Sequence, residues 1–81
     1  MNKVFTYSAW ADYLGYGVTA PKKIARINAL LCDIEKNGNA GIGVPKPLPS
    51  PLSYFWSRRI SGSEHMIYRI EKDAIVVVAF V

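Results

Sequence analysis

The sequence has few of the residues that form covalent cross-links or cofactor sites. It contains one cysteine, Cys32, and one histidine among 81 residues, which excludes an intramolecular disulfide and a thiolate zinc site. A glycine-rich phosphate loop, a Ser-His-Asp pattern and a metal-spaced set of histidine and cysteine are also missing. We therefore expect no metal and no cofactor, and a reducing, cytoplasmic setting.

Long hydrophobic runs are absent as well. The longest, residues 74–81, has eight residues, whereas a membrane-spanning helix needs about 20. The first residues lack the small-residue cleavage site of a signal peptide. Because 51% of the residues are hydrophobic and 12% aromatic, the chain is typical of a globular protein. We expect a single domain over residues 1–81 that stays out of membranes.

Acidic residues are outnumbered by basic ones. Ten Lys and Arg against six Asp and Glu give a net charge of +4 and a pI of about 9.4. Such a balance favours a polyanion such as RNA, or an acidic protein, as the partner. Ordinary solubility of a small domain explains the same charge equally well.

The N-terminal half predicts a short strand and two helices. Residues 3–7 alternate as a strand, and Ser8 offers a cap for a helix over residues 9–16 that Gly15 and Gly17 end. The second helix begins with Thr19 as its cap and Pro21 in its first turn, and stops at the Asn37-Gly38 pair. Its core-facing residues repeat at helical spacing: Ile24, Ile27, Leu30, Leu31 and Ile34.

The C-terminal half predicts a stiff loop and a meander of three strands. Prolines at every second position from Pro45 to Pro51 exclude a helix or a central strand around Lys46. From residue 54 the pattern changes to period two, with a turn at residues 61–63 and a last strand at residues 75–80 that is apolar on both faces. The fold class is therefore α+β: a small antiparallel sheet in the order β-α-α-β-β-β, with the helix pair packed on one face.

Basic and aromatic side chains alternate in this second half. The set comprises Lys46, Arg58, Arg59, His65 and Arg69 among Tyr54, Phe55, Trp56 and Tyr68. Cations bind phosphates and aromatic rings stack on bases, so the set suits single-stranded RNA. Cleavage of RNA by its own 2′-hydroxyl needs only a base, an acid and a cationic clamp on the phosphate. Ordinary solvated lysine and histidine side chains, and a core position for Trp56, are the alternatives.

The same residues resemble a known family. The stretch Val44-Pro45-Lys46-Pro47-Leu48, the block Leu52-Ser53-Tyr54-Phe55-Trp56-Ser57-Arg58-Arg59-Ile60 and the strand His65-Met66-Ile67-Tyr68 are similar to the P-E-P-L, L-x-G-x-W-S-R-R-I and H-R-L-V-Y signature of YoeB-type toxins in the RelE superfamily. The resemblance runs from Ser8 to Ala79 without an evident gap, and it implies a RelE-like microbial RNase fold.

The resemblance also implies a function and partners. The family is the toxin half of type II toxin–antitoxin modules: its members are metal-free endoribonucleases that bind the ribosomal A site and cut mRNA. By this resemblance we expect an acidic antitoxin, mRNA and the ribosome as partners, with a toxin dimer inside the antitoxin complex. The candidate catalytic residues are Lys46 as base, Arg59 as phosphate clamp and His65 as acid. Arg58, Trp56 and Arg69 are the candidate RNA-binding residues.

Three positions depart from the family pattern. Lys46 stands where the family has its general-base glutamate, His65 stands where it has arginine, and the His-Tyr pair expected about three residues beyond Val81 is not in the sequence. One interpretation is a ribonuclease with a rearranged site. A second is an inert toxin homologue that only binds an antitoxin. A third, a ParE-like inhibitor of DNA gyrase, fits the W-S-R-R-I block less well.

Overall fold

Two helices lie on one face of a five-stranded mixed sheet. The computed structural model describes residues 1–81, and the elements are β1 (Asn2–Phe5), α1 (Tyr7–Thr19), α2 (Pro21–Asn37), β2 (Lys46–Pro47), β3 (Trp56–Ser61), β4 (Glu64–Glu71) and β5 (Ala74–Phe80). The expected order β-α-α-β-β-β is confirmed, with β2 as an additional short strand inside the proline loop. Neither helix is long and apolar enough to cross a membrane.

The strands are arranged in the order β1-β5-β4-β3-β2. The meander β3-β4-β5 is antiparallel as expected, and β2 also pairs with β3 in antiparallel orientation. Strand β1 makes the sheet mixed, since it pairs with β5 in parallel because the helix pair carries the chain back across the sheet. Strand β5 has a neighbour on each side, which explains its apolar sequence. Pro47 is tolerated because β2 is an edge strand.

The helix boundaries differ from those expected. Thr6, rather than Ser8, caps α1, and its Oγ1 accepts a hydrogen bond from the Ala9 amide at 3.3 Å. The helix continues through both Gly15 and Gly17, because each glycine destabilises a helix by only about 1 kcal/mol and packing of α1 on β5 offsets this. Thr19 does not cap α2: its hydroxyl donates back to the Gly15 carbonyl at 3.1 Å, and Ala20 takes the cap position without a side-chain bond. Pro21 opens α2 as expected.

The core lies between the helices and the inner face of the sheet. It is one cluster, formed by Ala9, Ile27, Leu30, Leu31, Ile34, Ile60, Met66, Tyr68, Ile75 and Val77. Along β4 the two faces alternate as the period-two pattern predicted, and the structure buries the face of Met66 and Tyr68 while their neighbours are directed away from the helices. The side of the sheet that no helix covers carries Lys46, Ser57, Arg59, His65, Ile67, Arg69 and Glu71, and we call it the open face.

Candidate nucleic-acid interface

The open face brings three of the candidate site residues to one corner. In the antiparallel register Arg59 lies directly opposite His65, and Lys46 lies directly opposite Ser57. Side chains that are directly opposite have Cβ atoms about 4.5–5.5 Å apart, and diagonal neighbours about 7–8 Å. Since Arg59 follows Ser57 by two residues, Lys46 is its diagonal neighbour. We call Lys46, Arg59 and His65 the cationic corner.

The polar ends of these side chains are available to a ligand. Lys46 and Arg59 are exposed, and neither the ammonium nor the guanidinium makes an intramolecular hydrogen bond or ion pair. The ring of His65 is held at Nδ1, which lies 2.9 Å from the Ser63 carbonyl oxygen. Because a carbonyl only accepts, Nδ1 carries a proton, and Nε2 is the nitrogen that can gain or lose one.

Strand pairing fixes the backbone under the cationic corner. The amide and carbonyl of His65 both bond to Val81, at 2.7 and 2.9 Å, and the amide of Arg59 donates to the Gly43 carbonyl at 2.7 Å. Gly43 has φ 82°, and a Cβ on it would lie 2.9 Å from Leu30 Cδ2. The positive φ favours glycine at this position, and a Cβ would also lie 3.2 Å from the Arg59 carbonyl oxygen.

Arg58 does not belong to the cationic corner, although it is adjacent to Arg59 in the sequence. Its side chain is 0% exposed because successive residues of a strand face opposite sides. Nη1 donates to Asp33 Oδ2 at 2.5 Å and to the Ile42 carbonyl at 2.9 Å, while Nε donates to the Tyr68 hydroxyl at 3.2 Å. Nη2 donates to the carbonyls of Gly38 and Ala40, at 2.7 and 2.9 Å.

The expectation that Arg58 contacts RNA is therefore wrong for the folded chain, because its donors are occupied inside the protein. The hydrogen bond from Arg58 is also the main cause that lowers the pKa of Asp33, whereas burial raises the pKa of Tyr68. We call this arginine with its partners the Arg58 network. It ties the end of α2 and the loop 38–42 to the sheet, immediately before the segment that carries Lys46.

The loop between the Arg58 network and β2 is under backbone strain. Val44 has φ 51°, a conformation that a β-branched residue rarely adopts. Such strain persists only where the surrounding contacts hold the chain in place. The carbonyls of Gly38, Ala40 and Ile42 bond to Arg58 on one side of Val44, and Lys46 pairs with β3 on the other. The position of Lys46 is therefore set by the fold.

Trp56 and Arg69 occupy different parts of the sheet. Trp56 is half-buried on the inner face, where it packs against the core cluster, so the core interpretation is the one its position favours over a stacking contact with RNA. Arg69 lies on the open face, two alternate positions beyond His65 on β4. Its Nε donates to Glu71 Oε1 at 2.7 Å, and this hydrogen bond raises the pKa of Arg69 and lowers that of Glu71.

The carboxylate nearest to the cationic corner in sequence, Glu64, is neutralised by a helix residue. Lys23 Nζ lies 2.6 Å from Glu64 Oε2 and 3.9 Å from the centre of the Tyr16 ring. The hydrogen bond from Lys23 lowers the pKa of Glu64. This ion pair, which the sequence pattern did not reveal, leaves the cationic corner with a net positive charge beside the Ser61–Glu64 turn.

The arrangement can bind a phosphate and exchange protons with it. Arg59 supplies a free guanidinium, and Lys46 and His65 each present a nitrogen that can carry or release a proton. No group of three His, Cys, Asp or Glu side chains is placed to hold a metal ion. The chemistry that these residues themselves support is proton transfer and charge stabilisation at a phosphodiester.

Known proteins are similar to this chain in sequence and in fold. Residues 5–81 match the family described as a YoeB-like toxin of bacterial type II toxin-antitoxin systems. The toxin YoeB of Streptomyces coelicolor is 37% identical over 78 residues, 96% of this chain and 93% of that protein. The YoeB–YefM heterotetramer from Staphylococcus aureus gives a TM-score of 0.92 at 32% identity, over 98% of this chain and 92% of that one. The YoeB dimer from the same organism gives a TM-score of 0.93 at 32% identity, over 98% of this chain and 92% of that one. The chain belongs to the YoeB-like toxin family of type II toxin–antitoxin systems.

Proposed function

We propose that this toxin is a metal-free endoribonuclease that cuts mRNA at the ribosome, and that the cationic corner is its active site. The observation that carries the proposal is the direct opposition of Arg59 and His65, with Lys46 diagonal to Arg59, on the only face of the sheet that no helix covers. Residues 1–81 act as one domain. Because translating ribosomes are its target, the protein works in the cytoplasm.

The reaction assigns one role to each residue of the cationic corner. Lys46 in its neutral form accepts the proton of the 2′-hydroxyl, and the freed oxygen attacks the adjacent phosphorus. The bond from phosphorus to the 5′-oxygen breaks, and protonated His65 gives its Nε2 proton to that leaving oxygen. Arg59 stabilises the charge that develops on the phosphate. The products are a 2′,3′-cyclic phosphate and a 5′-hydroxyl.

A second candidate function is an inert toxin that binds its antitoxin without cutting RNA. It is favoured by the lack of a free carboxylate near the cationic corner: Glu64 is paired with Lys23, and Glu71 is paired with Arg69. The glutamate base of the family signature therefore has no substitute here except Lys46. Loss of one member of a catalytic set that acts together commonly reduces kcat by several orders of magnitude.

The partner that fits the open face is an acidic antitoxin segment. The chain carries a net charge of +4, and the cationic corner has no internal counter-ion. Electrostatic complementarity of this kind accelerates association and selects the partner. The complex of the Staphylococcus aureus relative with YefM, and the dimer of that relative, support an antitoxin complex that contains two toxin chains.

A translating extract separates these functions. We expect the purified toxin to produce cuts in the translated message, mapped by primer extension, and Arg59→Ala to abolish them while antitoxin binding persists. Lys36→Ala, which removes one positive charge from an exposed position on α2, is the control and should cut normally. Antitoxin binding without any cut by the wild type would establish the inert toxin, and inhibition of gyrase supercoiling would favour the ParE-like interpretation.

A further inference from the structure

A second group of side chains lies on the open face, away from the cationic corner. Arg69 follows His65 by four residues on β4, about 13 Å along the strand at roughly 3.3 Å per residue. Two aromatic residues that precede β3, Tyr54 and Phe55, lie beside Arg69, and Glu71 completes the group. We call these four residues the aromatic platform.

The contacts hold the platform in one arrangement. The rings of Tyr54 and Phe55 meet edge to face, with centroids 5.6 Å apart and planes at 70°. Arg69 Cζ lies 5.9 Å from the Tyr54 centroid and 5.8 Å from the Phe55 centroid. The Tyr54 hydroxyl and Arg69 Nε both donate to Glu71 Oε1, at 3.4 and 2.7 Å. Tyr54 is nevertheless 59% exposed, so a large part of its surface is free to bind a ligand.

The charges of the platform cancel, unlike those of the cationic corner. Arg69 is paired with Glu71, so the platform offers a phosphate little net attraction. It offers instead an exposed aromatic ring next to a planar guanidinium, the two kinds of surface on which unstacked RNA bases lie. Glu71 Oε2 accepts no hydrogen bond within the chain, and it can accept one from an amino group on a base edge.

We propose that the aromatic platform binds a nucleobase of single-stranded RNA a few nucleotides from the phosphate held by the cationic corner. The inference rests on the proposed function, because it assumes that the open face binds RNA. In this proposal the planar guanidinium of Arg69, which Glu71 neutralises, binds a base rather than a phosphate. An acidic antitoxin peptide is a poorer ligand for this group, since the Arg69–Glu71 pair offers it no net positive charge.

The test measures binding without cleavage. The probe is a short fluorescein-labelled 2′-O-methyl oligoadenylate, which cannot be cut, and its affinity for the full chain is measured by fluorescence anisotropy. We expect Tyr54→Ala to weaken binding about 5- to 100-fold, the effect of losing one base-stacking ring. Tyr54→Phe keeps the ring and should bind like the wild type. The control is Tyr7→Ala on α1, which removes a tyrosine that is 89% exposed and should change nothing.

An abasic scan identifies the base that is bound. One base at a time is removed from the oligonucleotide. At one position, removal of the base should weaken binding to the wild type and to Tyr54→Phe. It should have no further effect on Tyr54→Ala, because the free-energy losses from removing the two partners of one contact are not additive. The Tyr54→Ala loss should also be the same at all salt concentrations. Arg59→Ala should instead reduce the salt slope by about 0.7, the value for one phosphate on a single strand.

The outcomes separate this inference from the proposed function. RNA binding that depends on Arg59 but not on Tyr54 would overturn the platform and leave the proposed function standing. Tyr54-dependent binding together with a translating extract that shows no cuts would support the platform and contradict the proposed cleavage. No binding of the oligoadenylate by the wild type would overturn the platform. A Tyr54→Ala loss seen only with the antitoxin peptide would also overturn it and assign the surface to the antitoxin.

Discussion

Replacing Arg58 with methionine should remove a large part of the stability of the fold. The guanidinium donates five hydrogen bonds while its side chain is fully buried. Methionine fills similar space but leaves Asp33 without its cation and three carbonyls of the loop 38–42 without donors. Removal of one partner from a buried ion pair costs about 3–5 kcal/mol. The whole stability of an 81-residue chain is about 4–12 kcal/mol at roughly 0.05–0.15 kcal/mol per residue.

Urea unfolding followed by circular dichroism measures this loss. Arg59→Met is the matched control, because it makes the same change one residue along the chain, where the side chain is exposed and unpaired, and it should stay within about 0.5 kcal/mol of the wild type. Arg58→Lys should be intermediate, since an ammonium cannot reproduce the fork of a guanidinium. If Arg58→Met and Arg59→Met unfold at the same urea concentration, the Arg58 network does not hold the fold together.

Three further predictions concern the loop and the cationic corner. Gly41→Ala should destabilise the fold because φ is 123° and a Cβ there would overlap the Asp33 carboxylate. Gly15→Ala, in open space on α1, should stabilise it by about 0.5–1 kcal/mol. The melting temperatures of the two variants, measured against the wild type, should therefore shift in opposite directions. Since the pKa of Asp33 is lowered below 3.8 in the folded chain, its stabilisation is complete above that pH and is lost as the pH falls further. Asp33→Asn should therefore be less stable at neutral pH but lose less on acidification, and equal acid sensitivity would refute this. Lys46→Glu together with a His-Tyr extension after Val81 should increase message cleavage, measured by primer extension, and no gain would contradict the interpretation that the missing family residues limit cleavage.

Much of the fold follows from periodicity in the sequence. The period-two pattern separated Met66 and Tyr68 from His65 and Arg69, and the structure shows that the helix layer buries the first pair, because a strand next to a helix layer must bury alternate residues. Strand β2 could not be predicted in this way. Two residues between prolines show no periodicity, and only the tertiary contact with β3 makes them a strand. The end of α1 was missed because packing on β5 outweighs the low helix propensity of Gly15 and Gly17.

The candidate site was predicted less completely, and the reason lies at the Arg58-Arg59 pair. The period-two alternation from residue 54 places Arg58 and Arg59 on opposite faces of a strand, so it implied that only one of the two arginines can reach the open face. Positive charge alone favoured RNA contact by both arginines, and that reasoning gave the wrong function for Arg58. Its partners could not be found from the sequence, since Asp33 and the carbonyls of the loop 38–42 reach it only through tertiary packing. The hydrogen-bond acceptors that a buried cation needs leave no local signal in the sequence.

The two arginines also explain how the fold can persist while the cationic corner changes. The Arg58 network and the close approach of Gly43 set the backbone that carries Lys46 and Arg59, and they use no side-chain atom of the open face. Lys46 and Arg59 are exposed and unpaired, so their substitution should alter stability by no more than about 0.5 kcal/mol. Residues at the cationic corner can therefore diverge from the family signature at little expense in folding, while any change of Arg58 affects the fold and the position of Lys46 together. Stability and activity should consequently separate in variants of Lys46 and Arg59, and fail together in variants of Arg58.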